Sequence, residues 1–166
     1  MRLLPLIDGG GQERGLRSGT LPTPLCVGLG RAAAIAGAEM AAEAERLRRL
    51  RDGLLRNLVR RIPNLRLNGD ADRRLPGSLN LTVPGIPAQA LIEACPSIAI
   101  STGSACTSAS VEPSYVLRAL GLPDPIANAS IRIGLGRFTT PADVDFAADV
   151  LAAAASRLTG QGSRPI

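Results

Sequence analysis

A long helical pattern in the first half of the chain limits the folds open to it. Alanine and leucine recur at spacings of three and four residues from about Gly30 to Arg61, and Pro63 ends the pattern. A helix of roughly 30 residues measures about 45 Å, which is long for a small domain. The pattern therefore predicts a helix over residues 31–62 that connects two domains.

The segments on either side of this helix differ in character. Residues 1–30 are rich in glycine and proline, which predicts loops with tight turns. Beyond the helix, strand-like and helical patterns alternate. Strands are predicted at 65–67, 78–83, 98–100 and 130–135, and helices at 87–95, 114–120 and 140–158, the last with Thr140 as its N-cap and Pro141 at its first position. This order predicts an α/β (α+β) fold with a mixed or mostly antiparallel sheet covered by helices.

Two residue types are missing from the 166-residue chain. It contains no histidine and no lysine, so all 19 basic residues are arginine. Imidazole catalysis and histidine-ligated metal sites are therefore excluded within this chain, and we expect no metal. A lysine that forms a Schiff base with a carbonyl cofactor cannot come from this chain either.

The basic residues concentrate on the predicted long helix. Eight arginines fall between Arg31 and Arg61, and acidic residues are interleaved with them, which is typical of a solvated helix face. The alternatives are an acidic protein partner and a nucleic acid, but the three aromatic residues are too scattered to stack on bases, so we expect no nucleic-acid binding. No apolar run approaches the length of about 20 residues that a membrane span needs, and the first residues do not resemble a secretory signal. We expect a protein of the cytoplasm.

The three cysteines, Cys26, Cys95 and Cys106, form no CxxC pair, which argues against a zinc ribbon or a disulfide scaffold. Cys26 and Cys95 have apolar neighbours and are predicted to fill a core. Cys106 lies among small residues at 101–110, a composition typical of an exposed loop. It is either a reactive thiol or an ordinary surface cysteine.

Three blocks of sequence resemble one enzyme family. The run SACTSAS at 104–110 with EPSYVLRALG at 112–121 resembles the active-site loop and following helix of cysteine desulfurases of the iron–sulfur-cluster type. The glycine-rich block at 9–20 and the block at 130–140 resemble two further parts of that family, in the same order. These enzymes belong to the class V aminotransferase group and depend on pyridoxal 5'-phosphate. The resemblance covers about residues 8 to 158.

The resemblance assigns roles to three residues. Cys106 matches the cysteine that takes sulfur from L-cysteine as a persulfide, leaving alanine. Arg132 matches the arginine that pairs with the substrate carboxylate, and Thr20 matches a threonine that contacts the cofactor phosphate of the neighbouring subunit in a homodimer. The resemblance also implies that residues 1–30 are a remnant of the large cofactor-binding domain, that 31–62 are the interdomain helix, and that 63–166 are the small C-terminal domain of a fold-type-I enzyme, with its persulfide loop.

The family's cofactor lysine has no counterpart here, nor do its ring-stacking histidine and its nitrogen-pairing aspartate. The chain thus resembles only the C-terminal portion of a desulfurase. It could be a fragment of a complete enzyme, one half of a split enzyme with an upstream half-protein as partner, or a degenerate remnant, and alone we expect it to be inactive. The expected sulfur acceptors are an iron–sulfur scaffold or a tRNA-thiolation protein. The alternatives are a non-catalytic persulfide carrier or scaffold-docking module, and another class V enzyme such as a selenocysteine lyase.

Overall fold

The computed structural model describes residues 3–102 and 113–161. The chain divides into two compact units, Met1–Ala41 and Ala42–Ile166. Helix α1, Thr23–Arg61, begins in the first unit and ends in the second. The domain boundaries expected from the sequence at 30/31 and 62/63 remain a prediction.

The first unit consists of a loop segment and the start of α1. The loop contains a short 3-10 turn, Glu13–Gly15, and is held by contacts close in sequence: Gln12 Oε1 accepts the Gly19 N–H at 3.0 Å, and Arg17 Nη1 donates to the Gly19 carbonyl at 2.7 Å. Helix α1 begins at Thr23, earlier than its expected start near residue 30. Proline is tolerated in a first helical turn, where its missing N–H has no intrahelical partner in any case, so the prolines at 22 and 24 did not exclude a helix here.

Apolar side chains of the first unit are largely exposed. Cys26 is exposed, so the expectation that it fills a core is wrong. Its α1 neighbours Leu25, Val27 and Leu29 are exposed as well, because no element among residues 3–102 and 113–161 covers this part of the helix.

Helix α1 is also long and apolar enough to cross a membrane, since an 18-residue window reaches a mean hydropathy of 1.3. The expectation that the chain has no stretch of this kind is therefore wrong by length and composition. A single such helix near an N-terminus remains weak support for a membrane span, because signal sequences and core helices of soluble proteins meet the same criterion.

The second unit is built on a three-stranded antiparallel sheet. Its strands β1, Arg66–Leu67, β2, Ser78–Thr82, and β3, Ser130–Gly134, lie in the order β1-β2-β3. One face carries the apolar residues of the strands and packs against the helices. The core comprises Leu54, Leu58, Ile62, Leu79, Leu81, Val83, Ile86, Ala88, Leu91, Cys95, Ile131, Ile133, Val144, Ala148, Leu151, Ala152, Ala154 and Ala155. The predicted α/β fold with an antiparallel sheet covered by helices is confirmed, as is the buried position of Cys95.

The described residues of this unit form four further helices: α2, Ala88–Glu93, α3, Tyr115–Ala119, α4, Asp124–Asn128, and α5, Pro141–Gln161. The short helix α4 was not expected from the sequence. The predicted N-cap of α5 is confirmed: Thr140 Oγ1 accepts the Asp143 N–H at 3.2 Å while Asp143 Oδ2 accepts the Thr140 N–H at 2.8 Å.

The predicted strand at 98–100 is absent from the described structure. Only the next residue, Ser101, pairs with the sheet, in an isolated bridge to Arg132. Three apolar residues are too short a pattern to distinguish a strand from an extended loop that packs on the core.

Candidate functional site

Arg132 lies in the middle of β3, on the polar face of the sheet. In β3 the residues alternate between faces, so Ile131 and Ile133 enter the core while Arg132 is exposed. The register places Asn80 of β2 directly opposite Arg132. A register slip by one residue would bury the guanidinium, so the pairing of β2 with β3 determines its exposure.

The backbone of Arg132 is tied to Ser101, which precedes Cys106 in the sequence by five residues. Its N–H donates to the Ser101 carbonyl at 2.6 Å, and its carbonyl accepts the Ser101 N–H at 3.2 Å. Cys106 itself lies outside the described residues, which end at Thr102 and resume at Pro113. The bridge therefore anchors the start of the Cys106 segment at the residue that the resemblance assigns to the substrate carboxylate.

Within the described part of the chain, the Arg132 guanidinium forms no ion pair and no hydrogen bond. Many other arginines are paired with a carboxylate: Arg61 with Asp149 at 2.6 Å and Arg118 with Asp124 at 2.8 Å. An exposed guanidinium that these residues leave without an anion is suited to bind a carboxylate from outside through two parallel hydrogen bonds.

A buried polar network fixes the sheet beside Arg132. Asn68 Nδ2 lies 2.9 Å from Thr82 Oγ1 and 3.1 Å from Ser130 Oγ, and the two hydroxyl oxygens are 2.8 Å apart. Ser130 also donates to the Ile126 carbonyl at 2.7 Å, which joins helix α4 to β3. Because buried polar groups are costly when unpaired, this network favours the observed register over its neighbours.

A single arginine, Arg46 of α1, holds the turn that follows β3. Its guanidinium donates to the carbonyls of Thr139 at 2.7 Å, Arg137 at 2.9 Å and Gly136 at 3.1 Å, and it pairs with Glu43 on its own helix. This pairing raises the pKa of Arg46 and lowers the pKa of the Glu43 carboxyl. We refer to this set of contacts as the Arg46 clamp; it fixes the chain directly after the strand that carries Arg132.

Thr20 lies in the first unit, exposed, directly after Gly19, whose φ of +100° favours glycine. The Gly19 N–H is already used by Gln12. The described residues around Thr20 therefore do not form a complete phosphate site, and a contact between Thr20 and a phosphate stays a prediction.

The sheet edge near Arg132 also borders an apolar pocket of about 160 Å³. Its walls come from the second unit: the segment at 98–100, the end of β3 and the first turns of α5, including Ile133, Val144 and Leu151. The lining offers Thr139 and Asp143 as its polar side chains, which gives it little means to orient a charged substrate.

Comparison with known proteins decides the family. The model of the family described as aminotransferase class V matches residues 8–146. This chain belongs to the class V aminotransferases. The family depends on pyridoxal phosphate, and its cysteine desulfurases use L-cysteine and typically act as dimers.

This chain is similar to curated cysteine desulfurases. It is 51% identical over 158 residues to cysteine desulfurase IscS of Rickettsia typhi, covering 95% of this chain and 38% of the relative. It is 50% identical over 158 residues to IscS of Rickettsia rickettsii, again covering 95% of this chain and 38% of the relative. The chain thus spans 38% of the length of these relatives.

Solved structures support the same assignment. An X-ray structure of a NifS-like protein from Rickettsia africae matches with a TM-score of 0.77 and 27% identity, covering 94% of this chain and 41% of that chain. The resemblance to the desulfurase group, drawn from three sequence blocks, is therefore confirmed. The roles of Cys106, Arg132 and Thr20 stay predictions.

Two side chains of the site region were not singled out from the sequence. Asn80 is distinguished by its register with Arg132 and by its hydrogen bond from Asn68, and no local pattern encodes either. Arg46 is one of eight arginines on a helix, and its distinctive contacts are made with residues about 90 positions away. Neither signal is available before the fold is known.

Proposed function

We propose that this chain is the C-terminal portion of a cysteine desulfurase, which converts L-cysteine to L-alanine and keeps the sulfur as a persulfide on Cys106. The observation that carries the proposal is the bridge between Ser101 and Arg132. It joins a candidate carboxylate-binding residue, through two backbone hydrogen bonds, to the start of the segment with the candidate nucleophile.

Chain length supports a role for both residues in one site. Cys106 follows Ser101 by five residues, and five residues of extended chain reach at most about 17 Å. A substrate held at Arg132 therefore lies within the reach of the cysteine.

In the proposed reaction, the Cys106 thiolate attacks the sulfur of the substrate. A sulfur–sulfur bond forms and the carbon–sulfur bond breaks, and its electron pair remains with the carbon fragment, which is protonated to alanine. Arg132 holds the substrate carboxylate, so that the sulfur is presented in one orientation.

Pyridoxal phosphate, when bound, supplies the electron sink that weakens the carbon–sulfur bond. This chain has no lysine, so the Schiff-base lysine comes from another segment or another polypeptide. Thr20 would give its hydroxyl to the cofactor phosphate, across a homodimer interface.

Sulfur would pass from Cys106 to a partner in the cytoplasm, either an iron–sulfur scaffold or a tRNA-thiolation protein. A non-catalytic persulfide carrier is the second candidate function, because the chain lacks lysine. A selenocysteine lyase is a third, which the small-residue composition around Cys106 disfavours.

The test combines this chain with the remaining portion of a desulfurase. The purified chain is assayed for alanine and sulfide with L-cysteine, pyridoxal phosphate and dithiothreitol, alone, with the product of the neighbouring upstream gene, and fused to the remaining portion of the Rickettsia typhi relative. We expect no turnover by the isolated chain and turnover in a complemented form. Cys106→Ala should abolish it, while Cys26→Ser, a matched cysteine change, should retain it.

Two results would oppose the proposal. Turnover by the isolated chain would contradict the argument from the missing lysine. Absence of turnover in every complemented form would favour the carrier function, which would then be tested by persulfide transfer onto Cys106 from a separate active desulfurase.

A further inference from the structure

Asn80 is the residue placed directly across the sheet from Arg132. Both backbone groups of Arg132 bond to Ser101 on the other side of β3. Asn80 and Arg132 therefore form an antiparallel pair without mutual backbone hydrogen bonds, the kind in which opposing Cα atoms lie only about 4.5 Å apart. Their side chains leave the same face of the sheet as neighbours.

The orientation of the Asn80 amide is fixed by the buried network. Its Oδ1 accepts a hydrogen bond from Asn68 Nδ2 at 2.7 Å, and Asn68 is held in turn by Thr82 and Ser130. With its oxygen engaged in this way, Asn80 presents its amino group as the remaining polar group. Among the hydrogen bonds of the described residues, none uses that amino group.

Two donor groups thus stand side by side, and the described residues place no acceptor between them. The guanidinium of Arg132 and the amide nitrogen of Asn80 can only donate. A carboxylate accepts hydrogen bonds at about four lone-pair positions, and a bidentate guanidinium occupies two of them. About two positions on the same carboxylate remain, and a neighbouring amide can donate to one of them.

We propose that Asn80 donates a hydrogen bond to the same substrate carboxylate that Arg132 binds. Asn80 then selects for a free α-carboxylate and restricts the rotation that one guanidinium alone permits. This inference rests on the proposed function, since it names a second contact of the same site.

The first experiment needs no substrate and uses the whole chain. Asn80→Asp introduces a carboxyl of nearly the same shape opposite Arg132, and NMR measures its titration. We expect it to titrate at least about 1 pH unit lower than the same carboxyl in the double variant Asn80→Asp/Arg132→Gln, because a neighbouring guanidinium stabilises the charged form. Equal titration in the two variants would show that the side chains do not meet and would overturn the proposal.

The second experiment measures L-cysteine kinetics in the complemented enzyme. We expect Asn80→Ala to raise KM roughly tenfold, as for a lost hydrogen bond to a charged group, with kcat changed less than about twofold. The matched control is Ser78→Ala, on the same face of β2 but opposite Gly134, which should leave KM unchanged. The preference for L-cysteine over its ethyl ester should fall in Asn80→Ala, a change that a merely structural role would not produce.

The outcomes separate this inference from the function on which it rests. If Arg132→Gln raises KM and Asn80→Ala does not, Asn80 makes no contact with the carboxylate and the inference falls, while the proposed function stands. If the unaltered complemented enzyme has no turnover, the proposed function falls, and the substrate contact assigned to Asn80 falls with it.

Discussion

The two units differ in how far their apolar residues are buried. In the second unit, Leu54 and Leu58 of α1 are almost fully buried beneath the sheet and α5. In the first unit, the same helix carries Leu25 and Leu29 on exposed turns, and Leu29 is 74% exposed. One continuous helix therefore combines turns that pack against a core and turns that the described residues leave exposed.

This difference teaches that periodicity predicts a helix but not what covers it. Both units place apolar residues along α1, yet in the described structure burial follows only where the sheet and α5 pack against the helix. Hydrophobic stabilisation depends on area removed from water, so the second unit should provide nearly all of the stability of the chain.

The sharpest way to test this contrast is to compare two thiols. Burial raises the pKa of the Cys95 thiol, and the folded chain shields its sulfur, whereas Cys26 is exposed. We expect iodoacetamide to label Cys26 in the native chain and to leave Cys95 unlabelled until urea is added, with sites assigned by mass spectrometry. Labelling of both cysteines at similar rates under native conditions would contradict the buried core.

A matched pair of leucines gives the next largest difference. Leu79→Ala removes a side chain that is 0% exposed and should lower the free energy of unfolding by about 2–5 kcal/mol. Leu29→Ala should lower it by less than about 0.5 kcal/mol. Urea denaturation followed by circular dichroism measures both, and an equal loss would mean that the first unit has a core of its own or a partner in solution.

The polar network of the second unit should contribute a smaller amount. Asn68→Ala leaves the hydroxyls of Thr82 and Ser130 with fewer partners inside the fold and should cost about 1–3 kcal/mol. Asn128→Ala, at an exposed helix end, is the control and should be nearly neutral in the same urea titration. A neutral Asn68→Ala would show that the network does not stabilise the register beside Arg132.

The smallest expected effect is a dependence on pH at the start of α5. Hydrogen bonds from the backbone N–H and the hydroxyl of Thr140 lower the pKa of the Asp143 carboxyl. A folded-state pKa below the unfolded one means that this contribution is present above the ordinary aspartate pKa of about 3.9 and is lost as pH falls through the lowered value.

Thermal unfolding between pH 5 and pH 2 measures this contribution. Asp143→Ala should lose stability at pH 5 and converge with the unaltered chain at the acid end. Asp145→Ala, two residues further along α5 and without a capping contact, is the control. A curve of Asp143→Ala that runs parallel to that of the unaltered chain over this range would refute the role of the cap.

Sequence reasoning predicted the parts of the fold that are encoded locally. Thr140 with Asp143 is a capping pair within four residues, and β2 and β3 carry clear alternation, so both were found. The failures have the opposite character. Cys26 has apolar neighbours in sequence, but its burial depends on a distant element, and residues 98–100 lack the length to specify a strand.

The residues of the candidate site also divide into those predicted from the sequence and those found only from the fold. Arg132 and Thr20 came from family resemblance and the chemistry of their side chains, whereas Asn80 required the register of β2 against β3. Its partner Asn68 adds a buried network that joins residues up to 62 positions apart, a relation that a single sequence does not display.

The Arg46 clamp depends on a specific side chain on α1 and on backbone carbonyls in the turn after β3. Arg46 holds the turn after β3 through the carbonyl oxygens of Gly136, Arg137 and Thr139, not through their side chains. Every residue type has a carbonyl, so these three contacts of Arg46 do not depend on which side chains the turn carries. A single change at position 46 removes all three contacts at once, which concentrates the mutational sensitivity of the turn in a residue that lies outside it.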